Sequence, residues 1–313
     1  MADGSPSPNA GGLDVAGLSP AIVPLLREIG DTKRVTAAHL GGSVARGLFL
    51  RGWSALVRGE DAGRVAYRSL AATVAAARLG ALDGERLTAL GLSKGEAREV
   101  LLRALGELSG PLPASLTDRL ADAMPVADDA DERDAPPFAH ALAAQPRAGV
   151  TCPGRARIML QPEESHADHC LVVAAYAGLL APSFGADPAT AWWYGMAHHL
   201  HSAAMPDAGF TGEMLLEPHL ARVIEEARRQ ALDELDAPLR GRARAALDAV
   251  ADDAAPEARA FHAADVIDRV LEIDHHLRTS AVTMGTVLDE YELVHDGPVK
   301  GFHDRVLAAV ALP

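Results

Sequence analysis

Apolar residues recur at spacings of three and four along most of the chain, and runs of alternating β-branched residues are nearly absent. That period predicts helices and argues against a sheet. Residues 1–18 are rich in Gly, Ser, Pro and Asn and are expected to be mobile. From Ser19 the pattern turns helical, with Ser19 as an N-cap, Pro20 at the first helical position and Gly30 as a stop. A longer amphipathic segment over 36–59 is interrupted by Gly41 and Gly42. Asp61 opens the next helix, and Ser93 with Glu96 three residues on forms a capping box for another. Together these predict a helical bundle over 19–125.

Residues 126–150 begin with an acidic stretch containing Pro136 and Pro137, which reads as an exposed linker between two domains. A second helical domain is expected over 151–313. Residues 170–181 are apolar almost all round, the mark of a buried helix. The Trp-rich turn 191–197 is equally apolar, and His198, His199 and His201 close it. Residues 219–250 read as charged amphipathic helices on the outside. A third amphipathic helix follows over 261–282, and a terminal helix is expected beyond a turn at Asp296, Gly297 and Pro298.

Composition sharpens this into an all-α fold. Hydrophobic residues make up 49% of the 313, yet only 4% are aromatic, and alanine, the best helix former, dominates. The length is ample for a sizeable core. A formal net charge of −14 with no offsetting basic stripe argues against nucleic acid as a partner. No apolar run reaches about 18 residues, so no membrane span is expected. The start of the sequence lacks a basic segment followed by an apolar one, and the two cysteines, Cys152 and Cys170, are too few for a disulfide framework. Both features point to a reducing cytoplasm. The alanine-rich bundle offers a surface for a homodimer.

The candidate chemistry lies between Ser165 and Glu213, where His166, His169, His198, His199 and His201 supply five of the chain's 13 histidines. One histidine opening a buried helix and a cluster closing the next can hold a divalent metal ion in a helical core, provided a carboxylate completes the set. Asp265 is the candidate carboxylate, with a structural salt bridge as its alternative role: it follows two alanines on the apolar side of its helix, with His262 and Asp268 three residues to either side. The loop after the cluster carries Asp207 and Glu213 among small residues that let a ligand approach closely. Either acid could transfer a proton; equally, Asp207 could turn the chain and Glu213 cap the next helix.

The order His169, then His198-His199, then Asp265 resembles the HD superfamily of helical metal-dependent phosphohydrolases, whose signature is one His, an adjacent His-Asp pair and a distant Asp. Within it, His169-Cys170-Leu171-Val172-Val173-Ala174 and Ala264-Asp265-Val266-Ile267 resemble the small 5'-deoxynucleotidase branch. The resemblance covers roughly residues 151–285. It implies metal ligation by His169, His198, His199 and Asp265, a small phosphorylated substrate such as a nucleoside monophosphate, and a phosphate-gripping arginine at Arg155 or Arg157. It also places Asp207 where the branch has a second catalytic acid.

Two positions depart from the pattern: His199 stands where the family has Asp, and Ser202 where the branch has a catalytic Glu. An imidazole in place of a carboxylate leaves the site one negative charge poorer. That shifts preference from hard ions towards Zn²⁺, Fe²⁺, Co²⁺ or Ni²⁺, with Mn²⁺ retained as a candidate. The same departures suit a catalytically degenerate HD signalling or interaction module. The superfamily also contains di-iron oxygenases, for which His201 and His219 could supply a second metal. Their bridging acid is missing at His199, and no histidine lies between His219 and Phe261.

Overall fold

The computed structural model describes residues 17–127 and 130–281. The expected mobile N-terminus, save its last two residues, and the expected terminal helix with the turn at Asp296 lie outside the described residues, as do His295 and His303. Among the described residues the protein is all helical, with thirteen α-helices and no strand. In chain order they are α1 Val23–Asp31, α2 Val44–Val57, α3 Ala62–Leu79, α4 Gly84–Ala89, α5 Lys94–Leu108, α6 Ala114–Ala123, α7 Pro137–Ala144, α8 His166–Leu180, α9 Pro188–Ala197, α10 Gly209–Leu216, α11 Leu220–Leu232, α12 Ala237–Ala249 and α13 Pro256–Ala281.

Local chemistry sets many of these boundaries. Ser43, Asp61, Asp83, Ser93, Ser165, Asp187 and Asp236 each turn a side-chain oxygen onto a backbone N–H of the first turn. Each cap satisfies a donor that the helix leaves unpaired. Ser93 and Ser165 form full capping boxes, with Glu96 and Asp168 returning the bond. Gly41 and Gly42 do not interrupt a helix, as the sequence pattern suggests; they precede it, because the Ser43 cap starts α2 only at Val44.

Every residue of α8 is buried, and α8 and α9 make the most extensive helix–helix contact of the fold. That contact depends on Gly195, where a Cβ would stand 2.3 Å from the Ala174 Cα. His166–Phe184 also has the length and mean hydropathy, 1.3, of a membrane span, a property the search for uninterrupted apolar runs misses because His166, Asp168 and His169 punctuate it. In the fold it is the core helix, 83% buried.

The described residues up to Arg269 form one compact unit, and those from Val270 onward belong to a second. The division expected at 126–150 is not where the contacts thin out. Phe138, just past the acidic stretch, is buried against Trp53 of α2, with ring centroids 4.8 Å apart at 88°. Trp53 in turn meets Trp193 of α9 at 5.4 Å. Three fully buried aromatics thus join α2, α7 and α9 in one core, and edge-on pairs of this kind add to the area they bury. The Tyr176 hydroxyl on α8 donates to the Leu26 carbonyl on α1.

Candidate metal centre

His169 sits one turn into α8, fully buried, and its two ring nitrogens face different partners. Nδ1 lies 2.8 Å from Asp268 Oδ2. Nε2 lies 3.2 Å from His198 Nε2 and 3.3 Å from Asp265 Oδ1. His198, at the C-terminal end of α9, places its own Nδ1 2.7 Å from the Gly195 carbonyl, which can only accept. Its proton therefore sits on Nδ1. The carboxylate at Asp268 likewise draws the His169 proton to Nδ1. With both rings in that tautomer and carrying no second proton, the two Nε2 lone pairs and Asp265 would be aimed at one another.

Such convergence of electron pairs suits a cation between them, a metal ion or a proton. Two nitrogens on one tetrahedral ion at about 2.0–2.1 Å stand about 3.3 Å apart, close to the spacing that these three atoms already have. His199 joins them: one nitrogen each from His169, His198 and His199 fall within 4.8 Å of one another. A second group, Glu164, His169 and Asp268, meets the same criterion on the far side of the His169 ring. These His, Glu and Asp groups could hold a metal ion. The anchoring of both reactive histidines through Nδ1 is the outer support that fixes ring orientation in metal sites.

Electrostatics favour neutral imidazoles at His198 and His199. Burial, then the neighbouring His169, pushes the His198 pKa down to about 3, against the opposing pull of Asp265. His199 is lowered well below its usual value by burial and by the histidines around it. For Asp265, burial raises the carboxyl pKa, but His169 and His198 outweigh it and hold the group ionised. Asp268 is likewise held low against burial by Lys33 and His169. A neutral imidazole and an ionised carboxylate are the protonation states that bind metal.

Of the sequence-predicted residues, His169, His198, His199 and Asp265 come together. Asp265 is only half-buried and also accepts from Arg269 at 2.8 Å; Asp268, the deeper acid, serves the opposite nitrogen of the same histidine. Asp207 uses both oxygens to accept backbone N–H groups, from Ala148 at 2.9 Å and Gly209 at 2.8 Å. It fixes the loop there, the turning role that its sequence context also allowed. Glu213 lies within α10, half-buried, and among the described residues no hydrogen bond or ion pair ties it to the histidines. Arg155 and Arg157 are both exposed; Arg157 donates to the Ala208 carbonyl at 3.4 Å and Arg155 stays on its own loop. His219, exposed, precedes α11 and is not brought to the cluster. Ser202 is buried, its Oγ 3.5 Å from His199 Nδ1.

The structure adds residues that sequence reasoning missed. Lys33, 6% exposed, places Nζ 2.6 Å from Asp268 Oδ1 and 2.6 Å from Glu164 Oε1. Arg147 reaches the same group: Nε is 3.9 Å from Glu164 Oε2, and Glu164, Asp268, Asp265 and Asp207 all help to keep it charged despite burial. Ser43 donates to Asp168, whose other oxygen completes the Ser165 capping box. The capping box was visible as Ser165-x-x-Asp168; nothing local marks Lys33.

No protein-family model, curated protein or solved structure matches this chain. The reading of the site rests on its geometry.

Proposed function

We propose that the chain is a metal-dependent phosphohydrolase of HD type, acting on a small phosphate ester such as a nucleoside monophosphate. The observation that carries the reading is the convergence of His169, His198 and Asp265 at spacings of 3.2 and 3.3 Å, with His199 beside them. This is the set that the resemblance to the 5'-deoxynucleotidase branch implies. A nitrogen-rich set favours a transition metal over Mg²⁺. When bound, a divalent ion there supplies Lewis acidity towards a phosphoryl oxygen and towards water. The protein's own part is orientation and charge. Asp268 and the Gly195 carbonyl hold the two rings, and burial keeps His198 unprotonated. Arg147 is the guanidinium whose charge is felt throughout the cluster. It suits the phosphate better than the exposed Arg155 and Arg157.

One observation favours a second reading, a metal-binding module without catalysis. Ser202 stands where a proton-transferring Glu would be expected, and both Asp207 oxygens are engaged by backbone amides. The deciding test is phosphate release from a panel of nucleoside monophosphates by protein loaded with Zn²⁺, Co²⁺, Fe²⁺, Ni²⁺ or Mn²⁺. Turnover should fall at least about 100-fold in His169→Ala and His198→Ala, since the ion's charge stabilisation is worth several kcal/mol. A fully loaded protein that releases no phosphate from any ester would leave the module reading in its place.

A further inference from the structure

Beside the centre just described, His166 and His201 flank His199, and the proposed activity uses neither of the two. His166 lies three residues before His169, so both project from the same side of α8. It is 1% exposed, and neither ring nitrogen meets a hydrogen-bond partner. Its Nε2 is 3.7 Å from Asp207 Oδ2, beyond hydrogen-bond distance. The ring centroid stands 4.9 Å from that of His199, and His199 stands 5.3 Å from His201. His201 Nδ1 is also buried without a hydrogen-bond partner. Unpaired buried polar atoms in a native fold call for an explanation, of which a bound ion or an ordered water is the usual one.

We infer that His166, His199 and His201, with Asp207, form a second transition-metal site adjoining the first. Two imidazoles on one tetrahedral ion have ring centroids about 5 Å apart, the separation that His199 shows from both His166 and His201. Three nitrogens and one carboxylate make a donor set typical of Zn²⁺ or Co²⁺. Asp207 is already fixed by the Ala148 and Gly209 amides, as an outer partner fixes a ligating carboxylate. Unlike the nitrogens of His169, His198 and His199, these do not yet point at one centre. Loading turns the rings about χ2, a soft torsion for histidine. Burial and the Arg147 charge hold His166 neutral, the form that ligates. His199 lies between the two groups and belongs to whichever ion binds it more tightly, so its replacement should weaken both.

The site adjoins the proposed centre but does not require it, and metal stoichiometry separates the two. Full-length protein stripped with chelator would be titrated with Co²⁺, followed by visible absorption and by elemental analysis after desalting. Wild type should retain two ions per chain. His166→Gln and His201→Ala should each retain one, with the absorption of the first site kept; His198→Ala should lose the other. One ion in wild type, unchanged in both His166→Gln and His201→Ala, would overturn the second site and leave the first standing, with a water the partner of His166. One ion lost in those two variants but kept in His198→Ala would support the second site and remove the first. No retained ion in any protein would overturn both.

Discussion

Replacing Gly195 by alanine tests whether the α8–α9 contact positions the centre. A Cβ there would meet Ala174 at 2.3 Å from Cα, 2.5 Å from N and 2.8 Å from Cβ. Carbon atoms at rest stand about 3.5–4.0 Å apart, so α9 must retreat by about 1 Å or more. No side-chain rotation relieves this, because the obstacle is main chain. Alanine gains about 1 kcal/mol of helix propensity over glycine, while overpacking costs about 1–3 kcal/mol and falls at the upper end when backbone must move. The net expectation is a loss of about 1–2 kcal/mol. Metal binding should suffer more. His198 is three residues on, bonded through Nδ1 to the Gly195 carbonyl itself, and ligand distances tolerate only about 0.2 Å. An affinity loss of about 10–100-fold is expected, as for lost outer support. Denaturant unfolding in chelator gives the first number and competition with a metallochromic dye the second. Adding Ala174→Gly should not rescue either, since the Cα and N contacts persist. A Gly195→Ala protein with unchanged midpoint and metal affinity would refute the argument that this contact sets the His169–His198 spacing.

Two further outcomes follow from the buried charges. Lys33→Met leaves Asp268 and Glu164 buried without their cation and should cost about 3–5 kcal/mol in denaturant unfolding; a loss under about 1 kcal/mol would mean that the pair is not buried in solution. Metal-free protein should lose stability as pH falls from about 6.5 to about 4. Below the ordinary histidine pKa the unfolded chain takes up protons, whereas His198, lowered to about 3, and His201, lowered to about 4 by burial and Arg228, do not until the end of that window. Each such group contributes a slope of about 1.4 kcal/mol per pH unit, and an unfolding midpoint that stays flat from pH 7 to 4.5 would contradict it.

The helices were legible because their signals are local. Asp61 and Ser93 act within one turn of themselves, and the three-and-four spacing reports burial of one face. The grouping of His169, His198, His199 and Asp265 was legible for a different reason. Histidines on apolar helices are few, and the intervals from His169 to Asp265 resemble a known pattern. The division of labour between Asp265 and Asp268 was not legible, since both lie on one side of α13 and only packing decides which meets Nε2 and which Nδ1. Nearness in sequence to His169 singled out Arg155 and Arg157, but it says nothing about a loop that folds outward. The bridge between Val150 and Ile158 carries those two arginines away from the core.

The acidic stretch does not keep its flanks apart, and that bears on how the site is held. Charge density marks exposure of side chains, not separation of domains; residues on either side of 126–134 can still pack together. Here they do, through Trp53, Phe138 and Trp193. The consequence is chemical as well as architectural. Lys33 reaches Asp268 across 235 residues of sequence, and Ser43 reaches Asp168 across 125. The first bond helps to keep ionised the carboxylate that orients His169; the second holds the first turn of the helix that carries it. A fragment beginning near residue 151 would expose Trp193 and strip Asp268 of its cation. The first half of the chain is therefore part of the outer support of the candidate metal centre, and the two halves should lose structure together, in one transition, when either is perturbed.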